Sequence, residues 1–290
     1  MKTRLLTDRP ARLLAFASGV PFFTPFGRRR TSCVSRFTSN AEPEVVFEGP
    51  STISALTALS SGDLALGGDP AIIILSPTGA VKHELHHGFG GPADWLAAGG
   101  SPERLFAATT WGCAMTDHQL VAEWETAGFT RRPYLSLKGR ATPDLRELGF
   151  YGATDSQGEP KWQWRCVRVA TGWFVYSPLR HVFVGASGKA VRRAENAGVL
   201  RAIRHGRDSL FWVTRTEAML VDASTGAILE RCVRVLDAEP ESVAFDASTG
   251  CFAIATGTGI EVIEDVPAPG SDRSPETLRS RNLGQTSDAA

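Results

Sequence analysis

Three groups of side chains in the sequence have types and spacings that could bind a ligand or do chemistry. The first is a histidine-rich run made of His83, Glu84, His86 and His87. On a β-strand His83 and His87 would share one face, and two imidazoles on one face can hold a metal ion. The sequence spacing does not identify a third side chain that could complete such a metal site. We therefore expect a solvated surface patch at this run and no metal.

The second group consists of aromatic residues beside basic ones. Trp162 and Trp164 alternate along a short segment between Lys161 and Arg165. Aromatic rings interleaved with basic side chains can stack on bases or sugars, although the same pattern also occurs where strands pack against one another. Trp111 stands at a connection between strands, where it could face a surface. We name these three tryptophans as candidate binding residues.

The third group is a run of positive charge, Arg28, Arg29 and Arg30. Residues 1–40 carry eight basic side chains and one acidic one, a net charge of +7, so the rest of this neutral chain carries −7. The composition favours a basic N-terminal arm over residues 1–43 that could bind an acidic partner; an organellar transit peptide over residues 1–40 is the alternative. Nucleic acid is an unlikely partner, since the acidic remainder would repel phosphate.

Motifs of enzyme active sites are missing from the chain. It has no G-x-S-x-G nucleophile elbow, no Walker A loop and no H-E-x-x-H. We accordingly name no catalytic residue and no cofactor, and we lean towards a protein that is not an enzyme.

Cysteine usage and hydropathy indicate the compartment. The five cysteines are widely spaced and form no C-x-x-C pair, which argues against a disulfide framework and a structural zinc. Thiols kept reduced indicate a cytoplasmic protein, with an organelle as the alternative if a transit peptide precedes it. No apolar run is long enough to suggest a membrane segment.

The elements that must position these residues are short strands in a repeated pattern. Five segments show an apolar strand, a turn, a second apolar strand, a third strand, a tight turn and a more polar fourth strand. They span residues 53–85, 94–125, 166–195, 199–233 and 242–265. Strands buried on both faces are apolar throughout, whereas outer strands are more polar. Repeats of this size and order predict an all-β fold, a single β-propeller over residues 44–265.

The number of blades depends on residues 126–165, which are one repeat long. If they form a degenerate blade there are six four-stranded blades; five plus an insertion, or seven, are the alternatives. The last segment stops after its third strand, and we expect residues 44–48 to supply its missing fourth strand and close the ring. Residues 266–290 are rich in Ser, Pro, Gly and Asp and predict a disordered tail.

The segment LVDASTGAILE, residues 220–230, is similar to the third strand, turn and fourth strand of WD40-like and quinoprotein-like propeller repeats. The resemblance implies a propeller fold and leaves function open. The Trp-Asp ending of WD40 repeats and the docking tryptophan of quinoproteins are both absent in register. A rigid ring without a chemical motif predicts a scaffold for protein–protein interaction within a larger complex. A propeller hydrolase or lyase with a site at the channel mouth is the alternative, and a carbohydrate- or nucleic-acid-binding module is the third.

Overall fold

A computed structural model of the chain shows a succession of short β-strands. The described residues are 1–25, 32–37, 42–88, 91–93, 95–99, 102–108, 120–131, 135–136, 165–169, 172–176, 180–185, 190–195, 198–206, 209–246 and 248–267. These ranges form six antiparallel sheets, which we number as blades 1–6. They contain no helix long and apolar enough to cross a membrane.

The first strand, β1 (Lys2–Thr7), belongs to the last blade. Blade 1 contains β2 (Ala11–Ala17), β3 (Val20–Pro25), β4 (Cys33–Phe37) and β5 (Pro43–Glu48). Blade 2 contains β6 (Ala55–Ala58), β7 (Leu64–Gly67), β8 (Ala71–Leu75) and β9 (Val81–His86). Blade 3 contains β10 (Trp95–Gly99), β11 (Arg104–Ala108), β12 (Leu120–Glu125), β13 (Thr130–Arg131) and β14 (Leu135–Ser136).

The second half of the chain repeats the same meander. Blade 4 contains β15 (Arg165–Val169), β16 (Gly172–Tyr176), β17 (Arg180–Gly185) and β18 (Ala190–Glu195). Blade 5 contains β19 (Arg201–His205), β20 (Ser209–Val213), β21 (Glu217–Asp222) and β22 (Ile228–Val233). Blade 6 contains β23 (Pro240–Asp246), β24 (Cys251–Thr256) and β25 (Gly259–Glu264), and β1 pairs with β25 as its fourth strand.

The blades pack side by side around an axis. Their first strands contact one another in the order β10, β6, β2, β23, β19 and β15. Five apolar clusters fill the interfaces between blades 1 and 2, 2 and 3, 4 and 5, 5 and 6, and 6 and 1 among the described residues. Sheets that pack face to face in this circular order form a β-propeller, and the predicted fold class is confirmed.

Burial falls from the inner strands to the outer ones, as the sequence pattern predicts. The second strand β7 is buried throughout, whereas β9, the fourth strand of the same blade, is exposed at five of its six residues. Tight turns join third to fourth strands. In blade 5, the carboxylate of Asp222 accepts hydrogen bonds from the backbone of Ser224 and Thr225, and Gly226 takes a φ of +69°. An L side chain rarely adopts that conformation, which is why glycine ends this turn.

The prediction that residues 44–48 close the ring is wrong. Residues 44–48 lie in β5 and pair with β4 of their own blade, while β1 pairs with β25 in the register Thr3 to Ile263 and closes blade 6. The described part of residues 1–43 forms β1–β4 and the start of β5, so it belongs to the ring instead of forming an arm. The basic side chains of this segment are compatible with β-strands because they pair with carboxylates on neighbouring strands. Arg4, for example, contacts Glu264 on the neighbouring strand.

Blade 3 also differs from the predicted repeat. The segment predicted as its fourth strand, residues 120–125, pairs directly with β11 and is the third strand. Residues 130–131 and 135–136 follow as short outer strands. Ala122 and Trp124 of this segment are buried against blade 2, which agrees with its inner position. Residues 137–164, which hold most of the predicted degenerate blade, lie outside the described residues, as do residues 268–290 of the predicted tail; the total blade count stays a prediction.

Candidate functional site

The six residues predicted from sequence as binding candidates all lie outside the described residues. They are Arg28, Arg29, Arg30, Trp111, Trp162 and Trp164. The described neighbours of the arginine run are Pro25, which pairs with Ala11 at the start of β2, and Ser32, which accepts a hydrogen bond from Gly49. The six candidates therefore stay predictions.

The histidine run divides into two environments. His83 is exposed on β9, and its ring packs 4.6 Å from that of Phe129. His87 lies beyond the strand and is buried, with its Nε2 donating to the carbonyl oxygen of Gly68 at 2.9 Å. Burial lowers the pKa of His87, which favours the neutral ring. The two imidazoles do not form one face, and no group of three or more metal-ligating side chains occurs among the described residues.

The first strands of the blades define two rims of the central opening. We call the ends at which β2, β19 and β23 begin the upper rim, and the ends at which they finish the lower rim. Arg201 at the start of β19 contacts Glu241 near the start of β23, so the two strands begin at the same level. At the other end, the turns of adjacent blades meet. A Cβ atom built on Gly62 would lie 2.6 Å from Oγ of Ser18, which leaves no room for a larger residue there without displacing that hydroxyl.

Charged residues gather at the upper rim on three consecutive first strands. The Nε of Arg201 donates to the carbonyl oxygen of Glu241 at 2.7 Å, and its Nη1 donates to Leu200 at 2.7 Å. Its Nη2 lies 3.8 Å from the carboxylate of Glu241, which is partly exposed. On the next strand, β2, Arg12 is partly exposed as well. The rim thus presents a cation, an anion and a cation in strand order.

Arg12 and Glu241 are both extra residues in their ladders. In β2 the pairing passes from Ala11 to Leu13 and skips Arg12; in β23 it passes from Pro240 to Ser242 and skips Glu241. Each is a β-bulge at the second position of a first strand. Bulges re-aim a side chain and are common next to functional sites. Sequence reasoning missed this pair, since a single extra residue leaves no mark in a strand that is covered on both faces.

A buried ion pair holds the linker that leads to Glu241. The Nε of Arg234 donates to the Glu261 carboxylate at 2.5 Å, and both side chains are fully buried. The Nη1 of Arg234 donates to three carbonyl oxygens, those of Thr214, Arg215 and Ala238. The second carboxylate oxygen of Glu261 accepts the backbone N–H groups of residues 235 and 236. This network ties the linker between blades 5 and 6 to both blades and thereby fixes the start of β23.

Apolar side chains are exposed at the outer seam between blades 5 and 6. Leu5, Val233 and Val235 expose 44%, 73% and 53% of their surface. The hydroxyl of Thr3 donates to the carbonyl oxygen of Val233 at 3.0 Å, which brings β1 against the end of β22. The N–H of Val235 donates to Glu261, the register partner of Leu5. These contacts place the three side chains along one seam, which we call the seam patch.

Comparisons with known proteins agree with this fold. A gluconolactonase from Xanthomonas campestris superposes with a TM-score of 0.56 at 12% identity, over 90% of this chain and 88% of that chain. The WD40 β-propeller domain of Doa1 gives a TM-score of 0.52 at 11% identity, over 92% and 98% of the two chains. BBS1N, solved in complex with ARL6DN, gives 0.51 at 11% identity, over 92% and 96%.

No family model matches the sequence, and no curated protein matches it. At 11–12% identity the three structures show a shared fold alone, because one propeller architecture carries many unrelated functions. The fold-level resemblance to WD40-like and quinoprotein-like propellers is therefore confirmed.

Proposed function

We propose that the protein is a non-catalytic β-propeller scaffold in the cytoplasm that binds a protein partner, as a component of a larger complex. The seam patch carries this proposal. Of the other large apolar side chains exposed on the described surface, Val45 and Val81 are on outer strands of blades 1 and 2, and Ile228 is at the opposite end of β22 from Val233. Leu5, Val233 and Val235 lie along one seam. Isolated exposed apolar residues are ordinary, but a contiguous group marks an interaction surface.

Burial of such a patch would contribute appreciably to binding. Fully covering one leucine or valine side chain contributes about 1.5–3 kcal/mol. Three partly exposed side chains could therefore form the apolar centre of an interface. Ion pairs border them, including Arg4 with Glu264 and Arg215 with Asp237. An apolar centre with a polar border is the usual arrangement of a protein interface.

The titratable groups with shifted pKa values support a structural reading over a catalytic one. Among the described residues they are Cys33, His87, His205, Asp222, Cys232 and Asp246. They lie in four different blades and their connections. Burial raises the pKa of Cys33, and it lowers the pKa of His205, whose Nε2 donates to Pro267. A hydrolase or lyase site would instead bring several such groups together at the channel mouth.

The test is cross-linked affinity purification of the full-length protein from its native cells. Val233→Glu places a charge in the seam patch at a largely exposed position, so little effect on folding is expected. Val81→Glu is the matched control, since Val81 is equally apolar and 57% exposed on blade 2. We expect a stoichiometric partner that cross-links to residues near the seam, is lost with Val233→Glu and is kept with Val81→Glu.

Two results would contradict this proposal, one its scaffold function and the other its assignment to the seam patch. One is recovery of the chain alone together with hydrolysis of members of a broad substrate panel, which would favour the enzyme. The other is equal partner capture by the wild type and Val233→Glu, which would remove the seam patch from the proposal.

A further inference from the structure

The three residues that follow β25 turn back towards blade 5. Asp265 takes a φ of +56°, a left-handed conformation that is uncommon outside glycine and changes the direction of the chain after the strand. The side chain of Val266 packs against the apolar cluster between blades 5 and 6. The carbonyl oxygen of Pro267 lies 2.8 Å from Nε2 of His205, which ends β19 at the lower rim. We call residues 265–267 the return segment, because they lead from the end of blade 6 back to blade 5.

The contact with Pro267 determines which nitrogen of the buried His205 ring holds the proton. A carbonyl oxygen only accepts hydrogen bonds, so Nε2 carries the proton and Nδ1 of the neutral ring keeps a lone pair. His205 exposes 2% of its surface, and its Nδ1 has no hydrogen-bond partner among the described residues. Its ring centroid lies 5.0 Å from that of Phe245 and 5.1 Å from that of Phe252. A proton on Nδ1 would therefore leave a buried N–H donor without an acceptor, on a ring that carries a charge.

The titratable groups on the described elements around His205 have contacts of their own. Arg204 donates to a backbone carbonyl, Asp246 accepts from the hydroxyls of its own turn, the thiol of Cys251 contacts the carbonyl of Thr249, and Asp265 and Glu264 pair with Lys2 and Arg4. Burial is the main cause that lowers the pKa of His205, and the hydrogen bond to Pro267 offsets it only in part.

The return segment is the part of this site that can move away at the least cost. Phe245 and Phe252 are in paired strands of blade 6, whereas residues 265–267 follow β25 and belong to none of the described strands. Movement of the segment away from the rim would expose one edge of the His205 ring to water, where the protonated ring is stable. Because protons then bind the open state more tightly than the closed one, acid shifts the equilibrium towards the open state.

We propose that His205 and the return segment form a pH-sensitive latch, which is closed at neutral pH and releases residues 265–267 from the lower rim in mildly acidic solution. Release uncovers the part of the apolar cluster that Val266 covers. In the open state His205 titrates near its ordinary pKa of 6.5, and in the closed state it titrates below that value. The stability of the closed state is therefore fully present above about pH 6.5. Between the two pKa values the ratio of open to closed latch rises by up to about tenfold for each pH unit. The latch does not depend on the proposed scaffold function.

The test is methyl and imidazole NMR of the full-length chain between pH 7.5 and pH 5.5. A neutral, soluble gadolinium chelate enhances the relaxation of methyl groups that solvent reaches, and thus reports on the Val266 methyl groups. His205→Gln keeps an N–H donor for the carbonyl of Pro267 but does not titrate. His87→Gln is the matched control, since His87 is also buried and its Nε2 lies 2.9 Å from a backbone carbonyl, that of Gly68, in blade 2.

We expect the Val266 methyl groups to become several-fold more accessible from pH 7.5 to pH 5.5 in the wild type and in His87→Gln. In His205→Gln their accessibility should change by less than about twofold. The methyl groups of Val213, buried in β20, should stay inaccessible throughout. Linkage gives a second measure: Val266→Ala weakens the closed state, so the pKa of His205, read from its Cε1–H resonance, should rise towards 6.5 while that of His87 stays unchanged.

Five results would each refute the latch. The accessibility of Val266 could stay constant with pH in the wild type, it could rise equally in His205→Gln, or its rise could disappear in His87→Gln. The methyl groups of Val213 could become accessible together with those of Val266, which would mean that the whole blade opens. Finally, Val266→Ala could leave the pKa of His205 unchanged. All five leave the seam patch untouched, because its test measures capture of a protein partner at a different surface.

Discussion

The buried pair of Arg234 and Glu261 makes a stability prediction that the structure allows us to work out. In Glu261→Gln the side chain keeps its size and one oxygen acceptor but loses its charge. The Arg234 guanidinium then stays fully buried without a counter-charge. It cannot release its proton to avoid that state, because arginine stays protonated in proteins.

The expected cost follows from the burial of both partners. Breaking a buried pair by removing one charge costs about 3–5 kcal/mol, because the remaining charge is left uncompensated. The carbonyl oxygens of Thr214, Arg215 and Ala238 still accept from Arg234, which puts the expected loss near the lower end of that range. The glutamine amide also replaces one carboxylate oxygen that now accepts Val235 and Leu236, and a lost buried hydrogen bond costs about 1–3 kcal/mol. We expect the free energy of unfolding to fall by about 3 kcal/mol or more.

The measurement is urea unfolding followed by tryptophan fluorescence and circular dichroism. The control is Glu264→Gln on the same strand, which breaks the exposed pair with Arg4 and should cost about 0–1 kcal/mol. If Glu261→Gln loses no more free energy of unfolding than Glu264→Gln, then the buried network does not hold the linker. In that case the account of how β23 is positioned is wrong.

Three further predictions concern a close contact and two titrating groups. In Gly79→Ala the added Cβ would lie 1.8 Å from the carbonyl oxygen of Val46. Gly250→Ala is the control, because Gly250 also has a positive φ but its added Cβ would meet no atom within 4 Å, and it should cost roughly 1 kcal/mol. Gly79→Ala should destabilise the protein by several times that amount, as measured by thermal unfolding of the two variants. Burial acts to raise the pKa of Asp222, but hydrogen bonds within its turn outweigh burial and hold the pKa below its ordinary value. The stabilising contribution of the Asp222 carboxylate is therefore present above about pH 4 and is lost as the pH falls through the folded-state pKa. The difference in unfolding free energy between the wild type and Asp222→Ala should shrink from pH 7 to pH 3. A constant difference would contradict this prediction. Burial lowers the pKa of His205 below its ordinary value of 6.5, so the unfolded chain binds a proton at a higher pH than the folded protein does. The wild type should therefore lose stability as the pH falls below about 6.5. The His205→Gln variant should lose less unfolding free energy over the same pH range.

The sequence predicts most blades because their signals are local. In blade 5, the run Leu210 to Val213 is apolar because the second strand is covered on both faces, and it is buried as expected. The turn from Asp222 to Gly226 carries its own capping hydrogen bonds and a positive φ, so its residue types identify it without reference to the rest of the chain. Strands and turns of this kind can be found from residue types alone.

Blade 1 was predicted wrongly because its composition and its local pattern disagree. The charge of residues 1–40 favours an arm, yet residues 11–25 contain two apolar strands joined at Ser18 and Gly19, which is the signal of a hairpin. Charge excess does not oppose strand formation when each cation pairs with a carboxylate on the adjacent strand, as Arg36 does with Glu44. Which cation meets which carboxylate depends on the register between strands, and composition alone contains no information on register.

The rim charges were missed for a deeper reason, one that separates fold from function in a propeller. A first strand is covered on both faces, so its period of two does not divide its residues into buried and exposed sets. One extra residue in that strand, such as Arg12 or Glu241, therefore shifts no visible pattern in the sequence. The features that specify the ring are repeated and local, whereas the bulges at Arg12 and Glu241 are single irregularities near the starts of two inner strands, and a repeat pattern does not reveal single irregularities.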